Sequence, residues 1–390
     1  MLLVVEKLRL APVVILSFLF SGAWPLWAWG QPQVTADAAA LMDADTGVFY
    51  YVKNEQQRRA PASLTKIMTA VLALELADPE EEVTVSYRAA SVWAGSIIDL
   101  RANERIKLGE LVKAALICSA NDATVAIAEE VAGDHDTFVR WMNAKALLLG
   151  MVRTRFANTN GYSHPNHFST AADLAYLARY AMRNPEFARL VQTRAATIHW
   201  VAPQRTMQIE NTNQLLHENF PGITGVKTGT TSAAGQCLIA AVSQRGRNLI
   251  SVVLHSDGRY WDTRRLLSWG MEVLRERTAC VAGEYYTRLR VREGRLPDVP
   301  LVTDRALVVA LPAGEEGLLQ KEVTLCAAPV APVRFGARLG EVIFTWRGQE
   351  LGRVGLVAGR EVERLPWYAR FWRWQQRGYR PSSQGSSRGI

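Results

Sequence analysis

The chain has 390 residues, 48% of them hydrophobic, with a formal net charge of +8 at pH 7. Length and apolar content exclude a disordered chain and leave room for two or three domains with real cores. The modest positive excess reads as a basic surface with no nucleic-acid partner, and four cysteines are too few for a disulfide scaffold.

The first residues, MLLVVEKLRL, carry Lys7 and Arg9, and an uncharged apolar run follows to Gly30. Ala28 and Gly30 flank Trp29 just before Gln31, so residues 1–30 read as a cleaved secretory signal peptide. An uncleaved anchor is the rival, because the run approaches the ~20 residues that span a bilayer. Either way, the rest of the chain is expected outside the cytoplasm. Cys118, Cys237, Cys280 and Cys326 include no C-x-x-C pair and have no clustered histidines. Buried thiols are the default, a Cys280–Cys326 bridge stays open, and neither a metal nor another cofactor is expected.

AALMDADTGVFYYVKN predicts two strands around a turn at Asp43 to Gly47. PASLTKIMTAVLALELA, with Pro61 in its first turn, predicts a helix apolar on nearly every face and therefore central. GELVKAALICSAN predicts a second helix ending near Ser119. Two more follow, with Gly133 and Gly150 as stops. STAADLAYLARYAMRN predicts a helix capped by Ser169 and ending near Asn184–Pro185. CLIAAVSQRGRNLISVVLHS predicts two strands joined at Arg245 to Asn248, and TRRLLSWGMEVLRE a last helix. This is an α+β plan for residues 31–276, in which the N- and C-terminal segments share one antiparallel sheet. Residues 277–365 alternate short β-like runs with Gly, Pro and charge, and predict a small all-β domain. In residues 366–390, Trp367, Tyr368, Phe371, Trp372 and Trp374 share one helical face opposite Arg370, Arg373 and Arg377. Such a face suits a membrane interface; an ordinary helix docked on the body is the alternative.

GITGVKTGTTSAAG, residues 222–235, invites a phosphate-loop reading. Val226 stands where the loop needs glycine, and β-like sequence follows where it needs a helix, so that reading fails. As a strand, Lys227 offers a fixed positive charge and Thr228 a hydroxyl for a carboxylate. Gly229 is expected to let a substrate backbone approach an exposed edge. Upstream, Ser63 and Lys66 are one turn apart, so a lysine with lowered pKa is placed to take the serine's proton. Ser119 and Asn121 offer a hydroxyl for proton transfer and an amide for a substrate carbonyl. His164 and His167 read as surface-loop residues.

The ordered trio Ser63-x-x-Lys66, Ser119-x-Asn121 and Lys227-Thr228-Gly229 resembles that of penicillin-binding proteins and serine β-lactamases. PASLTKIMTA, GELVKAALICSANDA, STAADLA and PGITGVKTGTT resemble more closely the low-molecular-weight serine D-alanyl-D-alanine carboxypeptidases, peptidase family S11. The resemblance implies a β-lactamase/transpeptidase-like catalytic domain, a small all-β domain and an amphipathic C-terminal helix. It implies Ser63 as acylated nucleophile, Lys66 as base, Ser119 as proton relay beside Lys227, and Asn121 and Thr228 on the substrate. The N–H groups of Ser63 and Thr230 would form the oxyanion hole. The implied partners are peptidoglycan stem peptides, β-lactams as inhibitors, and a membrane surface for the tail. Where well-known members carry Asn-Arg-Asn, this chain reads Asn211-Thr212-Asn213, which leaves open the arginine for the terminal carboxylate; Arg259, which fits another basic position of the family, is the candidate. A class A β-lactamase would need a deacylating glutamate, and none occurs between Glu130 and Glu186. A DD-endopeptidase and a non-catalytic cell-wall binder remain alternatives.

Overall fold

In a computed structural model that describes residues 31–369, the chain opens with the expected strand pair. These strands are β1 (Ala38–Asp43) and β2 (Phe49–Lys53). At the turn, Asp43 Oδ1 accepts from the N–H groups of Asp45 and Thr46 at 3.0 and 2.7 Å. The leader over 1–30 and the tail beyond residue 369 lie outside the described residues.

The helix expected from Pro61 is divided. Ala62–Thr65 is a 3₁₀ turn, and α1 runs over Lys66–Leu76. Ile67, Met68, Ala70, Val71 and Leu72 are all buried, as an all-round apolar helix requires. Next come β3 (Glu82–Thr84), the short α2 (Tyr87–Ala90) and β4 (Arg105–Lys107), then α3 (Leu108–Ile117), α4 (Asn121–Ala132) and α5 (His135–Leu148). Helices α3, α4 and α5 pack around α1. Gly133, at φ +76°, ends α4, and Asp134 Oδ1 caps α5 by accepting from Asp136 N and Thr137 N, both at 2.9 Å.

Helix α6 (Ala171–Ala181) is capped by Thr170, whose Oγ1 accepts from Asp173 N at 3.1 Å. Ser169, the expected cap, instead bridges to Arg59, and its hydroxyl bonds Thr154 Oγ1 at 2.7 Å. Asn184–Pro185 is a beginning as well as an end. Asn184 caps α7 (Pro185–Gln192), with proline in the first turn where its missing N–H costs nothing. Then β5 (Ala195–Ala202) and β6 (Thr206–Glu210) complete a four-stranded sheet, β3-β4-β5-β6, that alternation in the sequence did not reveal.

After α8 (Gln214–His217), the strands β7 (Ile223–Thr231), β8 (Gly235–Gln244) and β9 (Arg247–Ser256) join the first two. The sheet order is β2-β1-β9-β8-β7, antiparallel throughout. Alternate residues divide between its faces. Ala40, Met42, Ile239, Val252 and Leu254 join the helical core, while Leu41, Leu238, Leu249 and Val253 pack with Leu266 and Leu267 of α9 (Arg259–Val273). β7 is left at the edge.

The remaining described chain is β-rich, as expected. Strands β11 (Tyr285–Arg290), β12 (Asp298–Thr303), β14 (Leu319–Leu325), β15 (Arg338–Trp346) and β16 (Gln349–Ala358) form one sheet. A separate pair is formed by β10 (Leu274–Cys280), which continues directly from α9, and β13 (Leu307–Pro312). Tyr50 Oη donates to Ala310 O at 3.0 Å, and Gln349 exchanges two hydrogen bonds with the Phe49 backbone. These contacts tie β2 to the distal strands. All four cysteines are free: Cys280 is buried and Cys326 exposed, so the bridge left open by the sequence is not formed. Among the described residues, no helix is long and apolar enough to cross a membrane.

Candidate active site

Ser63 stands in the 3₁₀ turn and Lys66 opens α1. Three residues per turn nearly eclipse side chains i and i+3, which suits this pair. Lys66 Nζ lies 2.8 Å from Ser63 Oγ and donates to the Asn160 carbonyl at 2.8 Å. Ala62, just before the serine, is held at φ +49°. A chain of bonds pins it. Thr65 Oγ1 donates to Ala62 O at 2.8 Å, and His167 Nε2 lies 2.8 Å from Thr65 Oγ1. The Ala157 N–H donates to His167 Nδ1 at 3.0 Å, which leaves the ring proton on Nε2. His167 is thus buried beneath the nucleophile turn and not a surface-loop residue; burial, with the nearby His164, lowers its pKa to about 4. On the other side, Gly161 has φ +94°, and a Cβ there would stand 1.9 Å from Ala62 O and 2.9 Å from Ser63 N. Only glycine fits.

Lys66 and Lys227 are both buried. Burial first, and the charge of Lys227 second, hold Lys66 well below the ordinary lysine range. Burial is also the main cause that lowers Lys227 to about 7, with the Arg259 charge acting in the same direction. A lysine held below its ordinary range gives up its proton more readily, as a serine-activating base requires. The neighbouring Cys118 thiol is pushed up by burial to about 11, so it stays protonated and is no rival nucleophile.

Ser119 follows α3 in the left-handed region, at φ +67°, and no described residue engages its hydroxyl. Asn121 begins α4. Its Nδ2 donates to Ala94 O at 2.8 Å, and its buried Oδ1 has no partner. Because Ala94 O can only accept, the amide orientation is settled, and the free atom is an acceptor. Tyr162 Oη also donates to Ala94 O, at 2.6 Å. Asp122, unremarked in the sequence, accepts from Ile98 N at 3.0 Å and Leu100 N at 3.2 Å, and so ties the 94–100 loop to α4.

The opposite wall is the edge strand β7. A Cβ on Gly229 would lie 3.0 Å from Ala62 Cβ, 3.0 Å from Ser63 N and 3.1 Å from Pro61 O. The glycine therefore makes room for the nucleophile turn itself. Thr228 Oγ1 lies 2.6 Å from Thr212 Oγ1. Arg259, the first residue of α9, donates through Nη1 to Gly229 O at 2.9 Å and Thr230 Oγ1 at 2.8 Å.

Ser63, Ser119, Asn121, Thr228, Gly229, Thr230 and Arg259 line one cleft of about 690 Å³, with Lys66 and Lys227 buried behind it. All nine residues singled out in the sequence meet there. Asn160, Gly161, Tyr162 and the 94–96 loop were missed, because backbone carbonyls and close packing leave no residue-type signature, and Thr212 was marked only as standing where an arginine was expected. Among the described residues, no group of three His, Cys, Asp or Glu side chains could hold a metal ion.

Residues 27–258 match the family model described as D-alanyl-D-alanine carboxypeptidase, and residues 275–364 that of the penicillin-binding protein 5 C-terminal domain. The chain is 30% identical to D-alanyl-D-alanine carboxypeptidase DacF of Bacillus subtilis, covering 84% of this chain and 86% of that one. It is also 30% identical to DacC of Escherichia coli, over 91% and 92%. The crystal structure of penicillin binding protein 5 from Haemophilus influenzae superposes with a TM-score of 0.70 at 28% identity, covering 86% of this chain and 99% of that one. The cleft, the fold around it and these likenesses agree: the chain belongs to the serine D-alanyl-D-alanine carboxypeptidases of peptidase family S11.

Proposed function

We propose that this carboxypeptidase removes the terminal D-alanine of peptidoglycan stem pentapeptides through an acyl-enzyme on Ser63. The observation that carries this reading is the 2.8 Å approach of a buried Lys66 amine to Ser63 Oγ at the floor of a cleft walled by an edge strand. Neutral Lys66 takes the hydroxyl proton as Oγ attacks the carbonyl of the penultimate D-alanine. The N–H groups of Ser63 and Thr230 hold the developing oxyanion; one such donor is typically worth about 10²–10³ in rate. Ser119, beside Lys227, passes a proton to the leaving amine, and D-alanine departs. Water then attacks the ester and returns Ser63. Asn121, on the cleft wall, is placed to position the substrate amide. Thr228, Thr230 and Arg259 suit the terminal carboxylate.

β-Lactams enter the same chemistry and stop at the acyl-enzyme. Incubation with a stem pentapeptide should release free D-alanine, and labelled penicillin should attach covalently. Labelling that survives Ser63→Ala would sink the assignment. A cross-linked dimer substrate left intact would separate the enzyme from an endopeptidase.

The order of parts is a proposal of the same kind: signal peptide 1–30, catalytic domain 31–276, β domain 277–365 and a membrane-associating tail 366–390. It is supported by the basic-apolar leader and the aromatic and arginine faces of the tail. Trp367 and Tyr368, the two tail aromatics among the described residues, are exposed. The site of action would then be the outer face of the cytoplasmic membrane, against the cell wall.

A further inference from the structure

We infer that Thr212 is a positioning residue that makes the enzyme selective for a substrate ending in a free carboxylate. The inference rests on the carboxypeptidase reading above and names a residue that reading does not use.

The backbone around Thr212 is held from every side. Asn211 Nδ2 donates to Val191 O at 3.2 Å and Thr193 O at 2.9 Å, and Asn213 Nδ2 donates to Gly225 O at 3.1 Å. The Thr212 N–H donates to Ile117 O at 3.2 Å, and Tyr260 Oη donates to Thr212 O at 2.9 Å. So anchored, Thr212 presents Oγ1 to Thr228 Oγ1 at 2.6 Å on the cleft wall.

A hydroxyl has one proton to donate and two lone pairs. Two hydroxyls bonded to each other commit one proton and leave one. No other hydrogen bond from either hydroxyl is found among the described residues. A carboxylate only accepts, so it selects the order in which Thr212 donates to Thr228 and Thr228 donates to the carboxylate. The first bond polarises the second. Thr230, two residues on along the same face of β7, and Arg259, which reaches it from α9, complete the subsite. Valine at 212 would keep the shape and take away the donor. Thr228 could then rotate, and its proton would no longer be aimed.

The test compares a D-Ala–D-Ala peptide with a free C-terminal carboxylate against its C-terminal amide, for wild type, Thr212→Val and Thr212→Ser. Wild type should favour the carboxylate. Thr212→Val should lower that preference in kcat/KM by about tenfold, the scale of one hydrogen bond to a charged group, mainly through KM. Thr212→Ser should restore it, and the melting temperatures should agree. An equal loss on both peptides, an unchanged preference in Thr212→Val, or no rescue by serine overturns the inference. A wild-type enzyme that releases no D-alanine from either peptide would instead fail the underlying reading.

Discussion

Gly229→Ala is the most discriminating substitution that the cleft offers. Its new Cβ would stand 3.0 Å from both Ala62 Cβ and Ser63 N, and 3.1 Å from Pro61 O. Carbon atoms rest at about 3.5–4.0 Å, so β7 and the nucleophile turn must part by roughly half an ångström. Neither side yields easily. The turn is pinned by Thr65, His167 and Gly161, and β7 is paired to β8 along its length. Such overpacking costs about 1–3 kcal/mol of stability. A 1 Å misplacement can cost about 10²-fold in rate, so half of it predicts a loss of about tenfold. The assay is the second-order rate of acylation by a small β-lactam, 6-aminopenicillanic acid, and by a bulky fluorescent penicillin, together with thermal denaturation. The expected result is a similar loss for both reagents and a melting temperature lower by a few degrees. A loss confined to the bulky reagent, at unchanged melting temperature, would show that the glycine clears the ligand and refute this account.

The pH dependence tests the buried lysines. Lys66 must be neutral to act, so acylation should fall as pH drops through its lowered pKa. Lys227→Met removes one cause of that lowering, the acid limb should move to higher pH, and an unmoved limb refutes the coupling. Lys227 itself titrates at about 7 in the folded chain, against 10.5 for an ordinary solvated lysine. Between those values the unfolded chain binds the extra proton, so stability rises with pH. Lys227→Met lacks that slope, so any stability it gains over wild type at pH 7 should shrink by pH 10 in denaturant titrations. His167→Ala leaves the Ala157 N–H without its acceptor, at a cost of about 1–3 kcal/mol, and should slow acylation without moving the acid limb. A shifted limb would make His167 part of the proton transfer. Deleting residues 366–390 should reduce co-sedimentation with anionic vesicles; undiminished sedimentation would return the tail to an ordinary helix.

Much of the site was legible because its chemistry is carried by side-chain types at short spacings. Ser63 with Lys66, Ser119 with Asn121, and Lys227 with Thr228 each lie within three residues of one another along the chain, and local geometry follows from spacing. The same local logic marked β1, β2, β8, β9 and the buried α1. It failed where the signal was ambiguous: Asn184–Pro185 both ends one helix and begins another, and the three-residue strands β3 and β4 are too short to show alternation.

The sequence by itself determined the reacting groups and their order along the chain, because a nucleophile, a base and a strand-borne cation need particular residue types. Only the tertiary structure decided what surrounds them. It put His167 under the nucleophile turn, set Gly229 against Ser63 and paired Thr212 with Thr228 on the cleft wall. These are contacts between segments 16 to 166 residues apart, made through packing distances, backbone carbonyls and burial. Such quantities belong to the folded chain and leave no periodic trace in the order of its residues.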